Sequence, residues 1–540
     1  MIQREFQEIL SQEYQRVVSG GQNMILVRYN NEFSVSELEK SVLGENVDQD
    51  GPWVYFHDLD YRRIQKPGEP FLDIIYQLIQ EYDNGDIDGF LDRCQVYPLH
   101  RSIFKSYWTK GIAEREEPMI RTELSYERER FIRDAFLVFE EAVKLHPVLI
   151  VVNRMQIASA GTLWIIKRFI ELQETSKGRA MEHGNFGLVL AMSDTVPIPN
   201  YTRRVWEDII EGMDDLGSVV SIGSSGTQPG SLENIPSYRD FGQRHLEEIQ
   251  NLATFMDVLT ADFYLKQIVR LMEKDSYLSL SPEMEERFYE VAFSIAFFDE
   301  DLSNAMEYLT RRILLLNQFM DQATDRRQVS PISPDRLQEM LLRYLVDHVR
   351  LYMYQDALSD ARVIIDAVSM DPSVPSEWTF QFQLLDVMLQ MSGWNHIFFC
   401  RGEASIREEL LDELCRKNYR NHLAYIEIYG YDNDPKKLSS ALPQESPHFV
   451  RGKKIATELD NTYFLNLCFE KNIMMASSYG MNHIALYYLN QGSRLCMIQR
   501  KGWWQRPIMA SVIISQPLGT SMMLRMLIVR PCSSSVRRSP

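Results

Sequence analysis

The sequence contains no CxxC, and its six cysteines (Cys94, Cys400, Cys415, Cys468, Cys496 and Cys532) lie far apart. That spacing fits neither a disulfide framework nor a thiolate zinc site, so free thiols in a reducing cytoplasm are expected. No run approaches the ~18 apolar residues of a membrane-spanning helix. The start, MIQREFQEIL, is charged and amphipathic, and lacks the basic end and apolar core of a signal peptide. Basic residues are in deficit: the net charge is −18, whereas a phosphate-binding surface needs clustered Lys and Arg. The pairs Arg62-Arg63, Arg203-Arg204, Arg311-Arg312 and Arg326-Arg327 are isolated among acids and read as solvated helix faces. A metal, a nucleic-acid partner and a membrane span are therefore not expected.

A further absence is local. After Glu470 no Asp or Glu occurs in the final 70 residues, although the chain has 75 acids in all. From Cys496 onward there are seven Lys or Arg, repeated Met and a Cys-Ser-Ser-Ser run. One reading of 496–540 is a basic anchor for protein or membrane, but Pro507, Pro517 and Pro531 interrupt any amphipathic helix there. The other is a shift of reading frame near Leu495, which would leave the chain as the front part of a larger regulator.

What is present is ordinary globular material, 45% apolar and 24% charged, long enough at 540 residues for two to four domains. Its organising stretch is PVLIVVNRMQIASAGTLW, Pro147 to Trp164. Six apolar residues, then Asn153-Arg154, then an amphipathic helix with Leu163, Ile166 and Phe169 read as a strand buried on both faces of a parallel sheet. Further strands are expected at 24–27, 53–56, 186–192 and 219–222, alternating with helices at 2–18, from Pro70, at 126–145 and around Trp206–Ile210. Strands alternating with helices indicate an α/β domain with its functional edge at the strand C-termini. Helix 2–18, the Ser19-Gly20-Gly21 turn, a strand and a loop into a helix match the opening of a P-loop domain. A working phosphate loop needs GxxxxGK[ST]. Here Arg28 and Phe33 stand at the glycines, Ser34 at the lysine and Val35 at the hydroxyl residue. At the end of the 148–152 strand, where a carboxylate would hold Mg2+, the residues are Asn153 and Arg154. Glu32 adds repulsion toward a triphosphate.

Gly223 to Ser237, GSSGTQPGSLENIPS, reads as a linker. GSSG is not a nucleophile elbow, because Thr227 takes the second glycine position. Beyond it, stripes at 246–271, 284–298, 306–320, 337–368, 380–391, 406–419 and 463–476 predict helices, broken near Pro282, Pro331, Pro372 and Pro435. Antiparallel helix pairs stacked as a solenoid fit best. The domains expected are 1–222, a linker 223–237, a helical-repeat region 238–495 and the tail 496–540. His183, His348, His396 and His483 are solitary. Glu140-Glu141 and Asp299-Glu300-Asp301 read as helix ends or caps, and Tyr344, Tyr352, Tyr354 and Trp378 as solenoid packing. No catalytic set emerges.

The order of QEYQRVVSGGQNMILVR, PFLDIIYQLI, LHPVLIVVNRMQIASAGTLWIIKRF and NFGLVLAMSD resembles the ATPase head of bacterial STAND-type signalling regulators, relatives of AAA proteins. The segment FLNLCFEKNIMMASSYGMNHIALYYLNQGSRLC, with Gly480, Ala485, Leu489 and Gly492, resembles tetratricopeptide-like repeats. Asp356–Ala361 and Asn304-Ala305-Met306 look like weaker copies. The resemblance implies a head that binds Mg-ATP and switches states, joined to a protein-binding solenoid in the cytoplasm. The missing phosphate and metal residues make the expectation here a non-catalytic signalling module, a pseudo-ATPase head with no cofactor and a protein partner. Two alternatives stay open. One is an active ATP-dependent switch relying on Lys40 and on Asp194 at a strand end. The other is the sensory front of a diguanylate-cyclase-type (GGDEF) regulator, although no such motif is present.

Overall fold

The computed structural model describes residues 2–29, 51–60, 63–120, 124–175, 186–194, 196–222, 241–273, 280–324, 332–392, 408–430, 446–478 and 480–500. Five strands, β1 (Asn23–Tyr29), β2 (Trp53–Asp58), β3 (Val148–Asn153), β4 (Phe186–Ser193) and β5 (Val219–Ile222), form one parallel sheet in the order β2-β3-β4-β1-β5. All five expected strands are present. β3 and β4 are buried along their whole length, as continuous apolar runs in a parallel sheet require.

One face of the sheet is covered by α1 (Ile2–Val18), whose Phe6 and Leu10 pack with Val27, Leu149, Val151, Val189 and Ala191. Gly187 makes this approach feasible: a Cβ there would stand 2.8 Å from Leu149 Cδ1 and 2.9 Å from Val17 Cγ2. Helices α2 (Phe71–Tyr82), α3 (Ile87–Arg93), α4 (Pro98–Lys110), α5 (Leu124–Ala142), α6 (Ala160–Thr175) and α7 (Arg203–Asp215) supply the remaining layers. Phe71, Phe139, Phe169 and Phe186 meet edge-on or tilted, with ring centres 5.1–6.1 Å apart, which joins α2, α5 and α6 to β4 through favourable aromatic geometry.

The α/β domain shares its compact unit, which comprises residues 1–118 and 124–337, with α8 (Gln243–Thr254), α9 (Val258–Glu273), α10 (Pro282–Phe298) and α11 (Leu302–Thr324). Phe255, between α8 and α9, packs on Phe104, Tyr107 and Phe131. Asn251 accepts from the Ala113 amide at 2.8 Å and donates to the Gly111 carbonyl at 2.9 Å. The Thr260 hydroxyl accepts from the Ala160 amide at 2.9 Å. Buried backbone groups of the domain thus find their partners on the first helix pair.

A second unit begins at Gln338, inside α12 (Pro334–Tyr354). It continues through α13 (Leu358–Ser369), α14 (Ser376–Ser392), α15 (Glu408–Arg416), α16 (Arg420–Tyr429), α17 (Pro447–Glu458), α18 (Thr462–Ser478) and α19 (Asn482–Arg500). The stretch 223–237 and residues 501–540 of the tail lie outside the described residues. Among the described residues no helix is long and apolar enough to cross a membrane.

Among the described residues, six helix junctions use one turn. Met256, Glu300, Asp356, Asn418, Asp460 and Gly480 adopt φ from +52° to +71°. In each, the next amide bonds the carbonyl five residues back at 2.8–2.9 Å, which is the Schellman arrangement. In four of them the fifth residue after the turn is a buried alanine: Ala261, Ala305, Ala361 and Ala485. These turns correct two expectations. The stripe 246–271 is two helices hinged at Met256, and 337–368 is two helices hinged at Asp356. Apolar periodicity runs through such a hinge because both helices bury the same kind of face. Only the sixth turn advertises itself with glycine.

Candidate functional site at the strand ends

Parallel sheets bind ligands beyond the strand C-termini, where neighbouring crossovers depart in opposite directions. The chain leaves β1 toward the β2 edge and leaves β4 toward β5. These two strands are neighbours and their successors lie toward opposite edges of the sheet, so the crevice lies at the β1–β4 boundary. The residues at its rim are Arg28, Tyr29, Ser193 and Asp194, with Asn153 and Arg154 one strand away.

The structure brings these residues together and joins them to one another. On the α1 face the Tyr29 hydroxyl donates to Asn153 Oδ1 at 2.6 Å, passing over β4, where Ala191 offers no bulk. The Asn153 amide donates to Asp58 Oδ1 at 3.1 Å. Arg154 grips both oxygens of Asp58, at 2.8 and 2.6 Å, in the strong bidentate form. It does so from a left-handed backbone at φ +53°, a conformation that neighbours must hold in place. Beneath them Gln156 donates to the Ser193 carbonyl at 3.1 Å, and Trp206 donates to the Gln156 carbonyl at 3.2 Å. At the rim Arg28 pairs with Asp194 at 3.0 Å. Burial, then the charge of Asp58, pushes the Tyr29 phenol well above its ordinary value, so it stays protonated. The hydrogen bonds that Arg154 donates to Asp58, with that residue's charge, raise its guanidinium further, against the effect of burial.

The sequence places Asn153, Arg154 and Asp194 at strand ends but assigns Arg28 and Tyr29 to a loop; both instead pair within β1, opposite Met192 and Ser193, and Asp58 goes unmarked. Asp58 ends the β2 strand and lies in register with Asn153. Phe33, Ser34, Val35 and Lys40 lie outside the described residues, as do His183 and His396. The His348 ring lies tilted against Tyr344 and Tyr352, and burial lowers its pKa. Cys94, Cys415 and Cys468 are free thiols, and burial pushes Cys94 up to about 12. No group of three or more His, Cys, Asp or Glu among the described residues could hold a metal ion.

No family model, curated protein or solved structure matches the chain.

Two other polar sites are structural. His100 is fully buried, with Nδ1 2.7 Å from Asp134 and Nε2 3.1 Å from Glu127. Each ring nitrogen thus faces a buried carboxyl group. Arg115 and Arg130 each donate to Glu127 at 2.7 Å. Asp257 is buried between the starts of α6 and α9 beside a cavity of about 20 Å3, lined also by Arg128, Trp164 and Phe255. That volume suits a water molecule. Burial raises the Asp257 carboxyl above its ordinary value.

Proposed function

We propose that this chain is a non-catalytic regulatory protein of the cytoplasm, with a P-loop-like head that no longer turns over nucleotide and a tetratricopeptide-like helical array that binds protein. The observation that carries this reading is the Tyr29–Asn153–Asp58–Arg154 network. The resemblance assigns the end of β1 to phosphate and the end of β3 to Mg2+ and the attacking water. The strand between them, β4, is spanned by a hydrogen bond within the protein, so a γ-phosphate would have to break it. The positions that would supply carboxylates hold an amide and a guanidinium, and the nearby acid Asp194 is engaged by Arg28. Recurrent Schellman turns, four of the six followed by a small buried alanine, support the repeat reading, because they let paired helices approach closely.

The test is isothermal titration of the full chain with Mg-ATP, alongside the Tyr29→Phe variant. No saturable heat up to millimolar nucleotide is expected from either protein. Micromolar binding, or turnover of ATP by the parent protein, would sink the reading and restore the active-switch alternative.

A further inference from the structure

Helix α13, LSDARVIIDAVS, is apolar on both sides. Ala361, Ile365 and Val368 are buried, while Val363 is 67% and Met370 82% exposed. Ala367, also exposed, lies between them. Positions 363, 367 and 370 share one helix face, so they form a continuous stripe two turns long. A surface helix ordinarily presents polar residues there, and an all-round apolar helix is ordinarily covered.

The border of the stripe is acidic. Asp360, Asp366 and Asp371 are exposed around it. Asp371 accepts from the Ser373 amide and hydroxyl at 2.9 and 2.7 Å. Asp360 and Asp366 make no ion pair with any described residue. The one base on α13, Arg362, is already paired with Asp386 of α14. A second copy of this face would set acid against acid, and an anionic membrane would be repelled. We infer that the outer face of α13 docks an amphipathic helix of a partner protein, its apolar residues on Val363, Ala367 and Met370 and its Lys or Arg beside Asp360 and Asp366. A partner helix would meet this face with its own apolar residues at i, i+3, i+4 and i+7, and an exposed methionine adapts to varied apolar surfaces. The inference rests on the reading of the helices as a protein-binding array and is independent of the head.

The experiment uses the full chain and a fluorescein-labelled helical peptide of Leu and Lys about five turns long, with Leu at i, i+3, i+4 and i+7, read by anisotropy. Saturable binding is expected. It should weaken at least about tenfold in Val363→Glu/Met370→Glu and in Asp360→Lys/Asp366→Lys, and it should weaken with salt. All four positions are exposed, so circular dichroism melts should match the parent. Absence of binding, equal binding by either variant, or equal binding of a Glu-for-Lys peptide would overturn the proposal. So would a dimer in sedimentation that Met370→Glu abolishes, since a second copy would then be the occupant. Mg-ATP binding by the head would leave this result untouched, so the two readings fail separately.

Discussion

Tyr29 on β1 and Asn153 on β3 are joined hydroxyl to amide at 2.6 Å although β4 lies between their strands. The bond ties the two strand ends that a P-loop domain would use for phosphate and metal. Tyr29→Phe leaves the buried Asn153 oxygen without this donor, at a cost of about 1–3 kcal/mol. Urea denaturation at neutral pH should show a lowered midpoint with an unchanged slope.

The His100 cluster predicts an acid limb to stability. Burial pushes Glu127 and Asp134 up, yet Arg130, His100 and Arg115 around Glu127, and the His100 hydrogen bond with Arg133 around Asp134, hold both carboxyls below their ordinary values of 4.5 and 3.8. A carboxyl depressed in the folded state contributes stability that is full above its unfolded value and is lost as pH falls through the folded one. Stability should therefore decline below pH 4.5. Glu127→Gln should lower stability at pH 7 by about 3–5 kcal/mol, because Arg115, Arg130 and His100 lose their shared counter-charge. It should also flatten that decline, as denaturant titrations at pH 3 to 7 would show.

Gly480 isolates the backbone term of the recurrent turn. A Cβ added there meets nothing within 4 Å, and its φ is +71°, so Gly480→Ala should cost about 1 kcal/mol from conformation alone. Glu300→Gly at the equivalent position should move the other way by roughly 0.5 kcal/mol. Opposite shifts in the denaturation midpoint are expected; a shared sign would show that these turns are not equivalent.

Much of the fold was legible because each strand is a short, continuous apolar run, and burial on both faces leaves no other use for such a run. β3 and β4 meet that description along their full length. The helix hinges at Met256 and Asp356 were not legible, since a left-handed residue without glycine leaves no mark in the apolar periodicity. The same holds for the site. Asn153 and Arg154 stand where the strand stops, so their place follows from the sequence. Tyr29 falls two residues past the expected end of the first strand, inside the expected loop, although it belongs to β1, and Asp58 reads as one more acid.

By itself the sequence determined the alternation of strands and helices and the residues that follow the apolar runs of β3 and β4, because those depend on local apolar pattern and residue type; β1 and β2 each run two residues beyond their expected ends. Only the tertiary structure decided that β4 enters between β1 and β3, and that Tyr29 and Asp58 therefore close on Asn153 and Arg154. It also decided that one side of α13 is left uncovered. Strand order and helix burial depend on contacts between residues far apart in the chain, and no local pattern records which apolar face will meet which.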